Sequence, residues 1–169
     1  PGGMNTRRPD RATIAYTTDG SVPSMNNGTI IAAAHDQAAP QAVVHIENTT
    51  VLRAAAFKNG FGSTNVDTQT YLFLDDVIQQ PAEIPGFPFG GRVWAGQSTY
   101  VPQDTEMDPE IINDPLYRDV MDDSLTSIPT LSIVMNEDDV SNLQDQDSRD
   151  GTKEELPTSI EMIYADPAE

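Results

Sequence analysis

Short segments in which apolar and polar side chains alternate, each followed by a turn signal, occupy the first 74 residues of the chain. Residues 12–18 (ATIAYTT) alternate and run into Asp19-Gly20, and residues 66–74 (VDTQTYLFL) alternate again. Alternation with a period of two residues is typical of half-buried β-strands. Asp-Gly favours a tight turn, because Gly accepts positive φ and Asp bonds its own backbone. The N-terminal part is therefore predicted to be a β-fold.

Residues 29–33 and 42–46 are short apolar runs, and residues 51–58 form a third segment. The last of them (VLRAAAFK) contains three alanines, which favour a helix, but it is eight residues long and ends at Asn59-Gly60. A short run that stops at Asn-Gly indicates a strand entering a turn. We therefore predict a mainly β chain. It has a small antiparallel immunoglobulin-like sandwich, then a Pro/Gly linker and an incomplete α+β segment.

Acidic residues are concentrated in the second half of the chain. Residues 1–79 hold five Lys and Arg against seven Asp and Glu, whereas residues 80–169 hold four against twenty. Nucleic acids and anionic membranes bind clusters of Lys and Arg, so this composition predicts no nucleic-acid partner and disfavours an anionic membrane. A solvated acidic face and a site for cations, chiefly calcium, are the two interpretations that stay open. The break near residue 80 indicates that two structural units meet there.

Two absences among the 169 residues narrow the function classes further. The chain contains no cysteine, which excludes disulfide scaffolds, Cys-ligated zinc or iron–sulfur clusters, and thiol catalysis. No run approaches 18 apolar residues, so we predict no membrane-spanning segment. The sequence starts at Pro1 without a charged and then apolar leader, and we expect it to be a mature product or a fragment.

A stretch rich in Pro and Gly, residues 75–91, follows the predicted sandwich and precedes Trp94, the only Trp. Pro-rich connectors are semi-rigid, and we predict that Trp94 anchors this one onto a neighbouring domain. The predicted organisation has four parts: a disordered or edge segment (1–11), the sandwich (12–74), the linker (75–104) and an α+β segment (105–169).

Helix and strand signals alternate in residues 105–169. Asp108-Pro109 is a helix start, with Asp as the N-cap and Pro at the first helical position. Residues 115–125 carry apolar side chains at i, i+4 spacing and are predicted to form one amphipathic helix. Residues 130–135 (TLSIVM) predict a buried strand, and residues 158–164 (TSIEMIY) alternate as a second strand.

Three motifs fall in order within the predicted sandwich: Tyr16–Ser21 (YTTDGS) with Pro23, Thr50–Lys58 (TVLRAAAFK) and Val66–Tyr71 (VDTQTY). They resemble the signatures of the chitobiase/β-hexosaminidase C-terminal-like module, also called the Fn3-associated domain. The resemblance implies a β-sandwich that serves as an accessory module of bacterial extracellular or cell-surface proteins, many of which act on glycans. It implies no catalysis. The partners that it implies are neighbouring domains of the same chain, and a polysaccharide or a cell-surface protein.

A second set of motifs lies in the acidic half: Met107–Ile111 (MDPEI), Asp114-Pro115, Ser127–Val134 (SIPTLSIV) and Pro157–Ile163 (PTSIEMI). These are similar to the lead-in and first strands of spore-coat-protein-H-like (CotH) proteins, a family that resembles an atypical protein kinase. The resemblance implies that nucleotide-handling and metal-binding residues lie beyond Glu169. We therefore assign no catalytic and no cofactor-binding residue here, and expect ATP and a divalent metal only if the full-length protein is a kinase.

Asp145, Asp147 and Asp150 are the candidate metal ligands, because their spacing partly matches a calcium-binding loop. The EF-hand pattern requires Gly at position six and Glu at position twelve. Counted from Asp145, these positions hold Asp150 and Leu156, so a flexible acidic loop is the competing interpretation.

Few other residues of the sandwich offer chemistry. Asp19 is interpreted as a turn residue, with a carboxylate in a cleft as the alternative. His45 is predicted to be a partly exposed strand residue, and His35 lies in a loop with no second His near it in sequence. A sugar-stacking platform is one interpretation of the aromatic residues, and a core that takes at least two of them is the other. The aromatic residues concerned are Tyr16, Phe57, Tyr71 and Phe73.

Three functional hypotheses follow. The first is a non-catalytic accessory region, a spacer or glycan-associated module, of a larger exported CotH-family protein. The second is a part of an atypical kinase whose phosphoryl-transfer site lies beyond residue 169. The third is a calcium-stabilised adhesion module.

Overall fold

The computed structural model describes residues 11–84, 103–140 and 155–165, and the chain divides into an N-terminal unit (Pro1–Tyr71) and a C-terminal unit (Leu72–Glu169). The described residues form six strands, all paired antiparallel, and several short helices. The prediction of a mainly antiparallel β fold is confirmed. Among the described residues, no helix has both the length and the apolar character needed to cross a bilayer.

Four strands of the N-terminal unit form one sheet in the order β2-β1-β3-β4, consistent with a small sandwich. Their bounds are β1 (Thr13–Thr17), β2 (Thr29–Ala32), β3 (Thr50–Phe57) and β4 (Asp67–Tyr71). All four were predicted within a few residues of these bounds. β3 is a strand despite its alanines, because β1 and β4 hydrogen-bond to its two edges and override the local helix preference.

The covered face of this sheet is built from small side chains. Ala15 of β1 lies opposite Ala55 of β3, and the two are 0% and 4% exposed. Thr17 and Arg53 form the next facing pair on these strands and are also buried. Directly opposite residues of an antiparallel pair share a face, so these four side chains lie together. Because Ala15, Ala55 and Thr17 are small, the residues that cover this face can approach the backbone of the sheet closely.

The apolar run at residues 42–46 is not a strand, and this prediction is wrong. Val43 is 82% exposed and His45 is exposed, so the run contributes little to the core. β-Branched residues favour a strand only where a neighbouring strand and a packed face support them. Within the described residues, no strand pairs with this run.

The C-terminal unit contains short helices and one two-stranded sheet. Its elements are α1 (Leu74–Ile78), α2 (Pro109–Ile112), α3 (Pro115–Arg118), α4 (Met121–Thr126), β5 (Thr130–Met135) and β6 (Thr158–Ile163). The predicted helix start is confirmed, because the Asp108 side chain accepts a hydrogen bond from the Glu110 amide at 2.8 Å. Asp114 caps α3 in the same way, accepting from the Leu116 amide at 2.8 Å.

Three predictions for the C-terminal unit need correction. The helix predicted over residues 115–125 is broken at residues 119–120, because Val120 donates to the Tyr117 carbonyl three residues back and takes a non-helical φ of −117°. Residues 74–78, where a strand end and a linker were predicted, are helical. β5 is not a buried strand, since only Val134 in it is buried. Trp94 lies outside the described residues.

Among the described glycines, Gly28, just before β2, approaches a neighbouring strand most closely. Its φ is +96°, and an added Cβ would overlap the Tyr16 carbonyl oxygen and come within 2.9 Å of Thr17 Cγ2. Gly60 has a similar φ of +79°, but an added Cβ there would meet nothing within 4 Å. The two glycines therefore separate the effect of backbone conformation from the effect of steric overlap.

We predict that Gly60→Ala lowers the free energy of unfolding by about 1–2 kcal/mol, the effect of a left-handed conformation alone. Gly28→Ala should lower it by roughly 2 kcal/mol more, because the Tyr16 carbonyl belongs to β1 and cannot move without breaking the ladder. Urea denaturation of both variants measures this difference. Equal destabilisation by the two substitutions would show that β1 does not approach Gly28 closely.

Candidate functional site

The end of β1, the turn after it and the middle of β3 contribute a compact group of polar side chains. We call it the turn cluster, and its members are Thr17, Asp19, Ser21, Asn27 and Arg53. The backbone turns sharply after β1 because Gly20 adopts a φ of +78°. This turn returns to the sheet, where the Gly20 amide donates to the Val51 carbonyl of β3 at 3.2 Å. Sequence motif and sheet register thus bring together residues that are up to 36 positions apart.

Asp19 is the acidic centre of the turn cluster. Its Oδ1 accepts a hydrogen bond from the Ser21 hydroxyl at 2.6 Å and another from the Ser21 amide at 2.9 Å. These bonds favour the ionised carboxylate, so the Ser21 hydroxyl first and its amide second hold the pKa of Asp19 below its ordinary value. The interpretation of Asp19 as a turn residue agrees with this geometry.

Asn27 and Thr17 close the turn from its two sides. The Asn27 side-chain amide donates to the Ser21 hydroxyl at 3.0 Å and to the Val22 carbonyl at 2.8 Å. The Thr17 hydroxyl donates to the Ser21 carbonyl at 2.6 Å. Ser21 is therefore held through its amide, hydroxyl and carbonyl at once.

Arg53 extends from the middle of β3 to the turn and is only 7% exposed. Its Nη1 donates to the Gly20 carbonyl at 3.1 Å. Within the described part of the chain, Nε is buried and has no hydrogen-bond partner. Burial disfavours the charged guanidinium and lowers the pKa of Arg53. The charge is thus held at a cost in solvation, and the long side chain fills space between small neighbours.

A shallow cavity of about 160 Å³ lies beside the turn cluster, lined by residues 16–19 and 27–29. Sites for small organic ligands occupy roughly 300–1,000 Å³, so this one accommodates a few water molecules. The cluster's polar atoms are directed at one another and at the backbone. The hydrogen bonds of the turn cluster therefore fix the loop that follows β1.

The two histidines are exposed, and neither belongs to the turn cluster. His35 lies in a turn, where its carbonyl accepts from the Ala38 amide at 3.0 Å, and the neighbouring Asp36 pairs with Arg11 at 3.5 Å. His45 was predicted on a strand, but its segment is irregular, so that placement is wrong.

The candidate calcium ligands Asp145, Asp147 and Asp150 lie outside the described residues, and their role stays a prediction. Over residues 11–84, 103–140 and 155–165, no three His, Cys, Asp or Glu side chains come together in a way that would hold a metal ion.

The predicted aromatic platform does not assemble. Phe57 faces Thr13 and therefore shares the Ala15 face, whereas Tyr16 and Tyr71 lie opposite Ala54 and Thr50 on the other face. Positions four residues apart on β3 put these two tyrosines on the order of 13 Å apart along the strands. The alternative, that at least two of the four aromatics are core residues, is also wrong. Tyr16 and Phe57 are half-buried, and Tyr71 and Phe73 are exposed.

Sequence reasoning missed one exposed aromatic residue. Phe61 lies in the turn after β3 and is 70% exposed, with the Lys58 ammonium 5.4 Å from the centre of its ring. The signal available was a Phe next to Asn59-Gly60, in a position where a turn and not a core is expected.

Residues 6–71 match the family model described as Fn3 associated. The match contains all four strands of the N-terminal sheet and all five residues of the turn cluster, and supports the identification of this unit as an Fn3-associated module. No curated protein and no solved structure shows a significant match to the chain.

We predict that the contribution of Asp19 to stability depends on pH. Because its pKa is lowered by folding, ionised Asp19 stabilises the fold above the unfolded value near 3.9, and this contribution is lost as pH falls through the folded pKa. Asp19→Asn keeps an acceptor oxygen but no charge, so its stability deficit at pH 7 should shrink as the pH falls below about 4. Asp19→Ala, which removes both oxygens, serves as the comparison. Chemical denaturation across pH 2–7 measures the difference, and a deficit of Asp19→Asn that is constant with pH would contradict it.

We also predict that the size of the Arg53 side chain contributes more than its charge. Arg53→Met keeps an unbranched stem and should change the free energy of unfolding by less than about 1 kcal/mol. Arg53→Ala removes the stem as well and should cost about 2–3 kcal/mol. Urea denaturation compares the two variants. If Arg53→Met is as destabilising as Arg53→Ala, the bond to the Gly20 carbonyl is the dominant contribution.

Proposed function

We propose that this chain is a non-catalytic accessory region of a larger exported or cell-surface protein, in which the N-terminal unit is a spacer. The family match supports an accessory module, and Fn3-associated domains are typically extracellular. The larger protein is proposed to be of the CotH family, on the motifs in residues 105–169 alone. In this arrangement the module holds neighbouring domains of the same chain apart.

One observation supports the spacer function most strongly. The polar residues of the YTTDGS motif are engaged with one another: Ser21 bonds through its amide, hydroxyl and carbonyl, and Arg53 donates to the Gly20 carbonyl. A binding or catalytic motif keeps polar atoms available for a ligand. Here the motif closes a loop onto a sheet, which supports a structural role for it.

Association with glycans is the second candidate function, favoured by Phe61. An aromatic ring exposed on a turn offers a flat apolar surface on which a pyranose ring can stack. The Lys58 ammonium lies over this ring, 5.4 Å from its centre, so a sugar would stack on the opposite face of the ring. Tyr71, exposed at the end of β4, is a separate exposed ring on the sheet face that also carries Tyr16.

We predict that the purified chain does not sediment with insoluble chitin or cellulose if the N-terminal unit is a spacer only. If it is glycan-associated, Phe61→Ala or Tyr71→Ala should reduce the sedimented fraction several-fold. Val43→Ala, which trims an exposed but non-aromatic side chain, is the control and should have no effect. Circular dichroism of each variant checks that the fold is retained.

Two further measurements separate the remaining hypotheses. Under the accessory proposal, ATP with magnesium leaves the melting temperature of the chain unchanged, whereas a rise would support the kinase hypothesis. A rise with calcium that a chelator reverses, and that is lost on Asp145→Asn with Asp147→Asn, would support calcium-stabilised adhesion.

A further inference from the structure

In the described part of the chain, three Asp or Asn residues are followed directly by glycine: Asp19, Asn27 and Asn59. An Asn-Gly pair is chemically labile, because glycine has no side chain to hinder its amide nitrogen, which can attack the carbonyl carbon of the asparagine side chain. An Asp-Gly pair closes the same ring more slowly. Whether a pair reacts in a folded protein depends on how freely its two residues can move.

Asn59 and Gly60 are the two central residues of the turn after β3. The turn is closed by the Phe61 amide, which donates to the Lys58 carbonyl at 3.1 Å. Both central residues are exposed, and an added Cβ on Gly60 would meet nothing within 4 Å. Within the described residues, neither the Asn59 side chain nor the Gly60 amide forms a hydrogen bond. This pair therefore meets both requirements for reaction, an accessible nitrogen and a side chain that can rotate.

The Asn27-Gly28 pair has the same sequence but is held by the turn cluster. The Asn27 side-chain amide donates to the Ser21 hydroxyl at 3.0 Å and to the Val22 carbonyl at 2.8 Å. Gly28 lies so close to β1 that an added Cβ would overlap the Tyr16 carbonyl oxygen. Ring closure at Asn27 therefore requires the loss of both side-chain bonds and a backbone rotation at a point where β1 leaves little room.

The Asp19-Gly20 pair is protected in a different way. Here the attacking nitrogen is itself engaged, because the Gly20 amide donates to the Val51 carbonyl of β3 at 3.2 Å. The Asp19 carboxylate accepts hydrogen bonds from the Ser21 hydroxyl and the Ser21 amide, and an ionised carboxylate is a poor electrophile. The fold thus protects two of the three pairs and leaves the third open to reaction.

We infer that Asn59 is a site of spontaneous deamidation, whereas Asn27 is protected by the fold from the same reaction. The Gly60 nitrogen attacks the Asn59 side-chain carbonyl carbon, the bond from that carbon to Nδ2 breaks, and ammonia leaves with the proton of the Gly60 amide. Water then opens the cyclic imide at either of its carbonyls, which gives aspartate or isoaspartate. In total one water is consumed and one ammonia is released, and a carboxyl group replaces the amide.

The modification changes the turn and leaves the sheet in place. Both products add a negative charge next to Lys58, whose ammonium lies 5.4 Å from the centre of the Phe61 ring. Isoaspartate also routes the main chain through the side-chain carbon, which lengthens the turn. The loop beyond the turn is fastened to β3 separately, because the Ala56 amide donates to the Thr64 hydroxyl at 2.9 Å and the Thr64 amide donates to the Ala56 carbonyl at 3.0 Å.

Peptide mass spectrometry of the whole chain, incubated at mildly alkaline pH in heavy-oxygen water, tests this inference by measuring the rate at each asparagine. In the native chain, Asn59 is expected to react at least about tenfold faster than Asn27, because Asn27 must first lose its two hydrogen bonds. In guanidinium chloride that unfolds the chain, both should react at similar rates. Asn59→Gln, which closes a larger ring far more slowly, is the control and should abolish modification of the turn while leaving Asn27 unchanged.

Three results would overturn the inference. The first is an equal rate at Asn27 and Asn59 in the native chain. The second is a rate at Asn59 that is more than about tenfold lower in the native than in the unfolded chain, since the turn would then protect it. The third is an undiminished yield of the modified turn peptide from Asn59→Gln, which would place the reaction at another residue. None of these results depends on whether the N-terminal unit binds a polysaccharide.

Discussion

The N-terminal unit depends on the attachment of the turn after β1 to β3, and one contact that makes this attachment is the hydrogen bond from the Arg53 guanidinium to the Gly20 carbonyl. It joins residues 33 positions apart and ties the turn after β1 to the middle of β3. A turn held only by its own local bonds would be free to swing away from the sheet. Here the Gly20 amide also donates to the Val51 carbonyl. Both polar backbone groups of Gly20 therefore bond to residues of β3. Burial costs the guanidinium part of its solvation, and within the described residues its Nε has no hydrogen-bond partner.

The small side chains of the sheet explain why an arginine is placed there. Ala15 and Ala55 face each other and fill little volume, so the sheet itself supplies a thin core. The long stem of Arg53 and the methyl groups of Thr17 and Thr70 add apolar volume on the same covered face. The same residues that resemble a family signature are therefore the ones that build the fold. A surface for recognition in this unit has to be sought elsewhere, at the exposed ring of Phe61.

Local patterns in the sequence were enough to place β1, β3 and β4 and the Asp108 cap. These elements have alternating side chains, turn residues or a capping pair of their own. The run at residues 42–46 has the composition of a strand but no neighbour to pair with among the described residues, and composition alone carries no information about a neighbour. β5 was predicted to be buried because it is rich in apolar side chains, but most of the strand is not buried in the structure. The Asp-Gly pair was enough to predict that Asp19 is a turn residue. The role of Arg53 could not be predicted in this way, because only the register of β1 on β3 brings Arg53 to Gly20.

The most direct test of this account is native-state hydrogen exchange at the Gly20 amide. If the turn cluster holds the turn on the sheet, this amide exchanges only when β1 and β3 separate. Its opening free energy is then the same as that of the amides of the sheet core. The Phe61 amide, which bonds within a local turn to the Lys58 carbonyl, should exchange far faster. Exchange of Gly20 as fast as that of Phe61 would show that the turn opens independently of the sheet. The YTTDGS motif would then be available for a role other than holding the fold together.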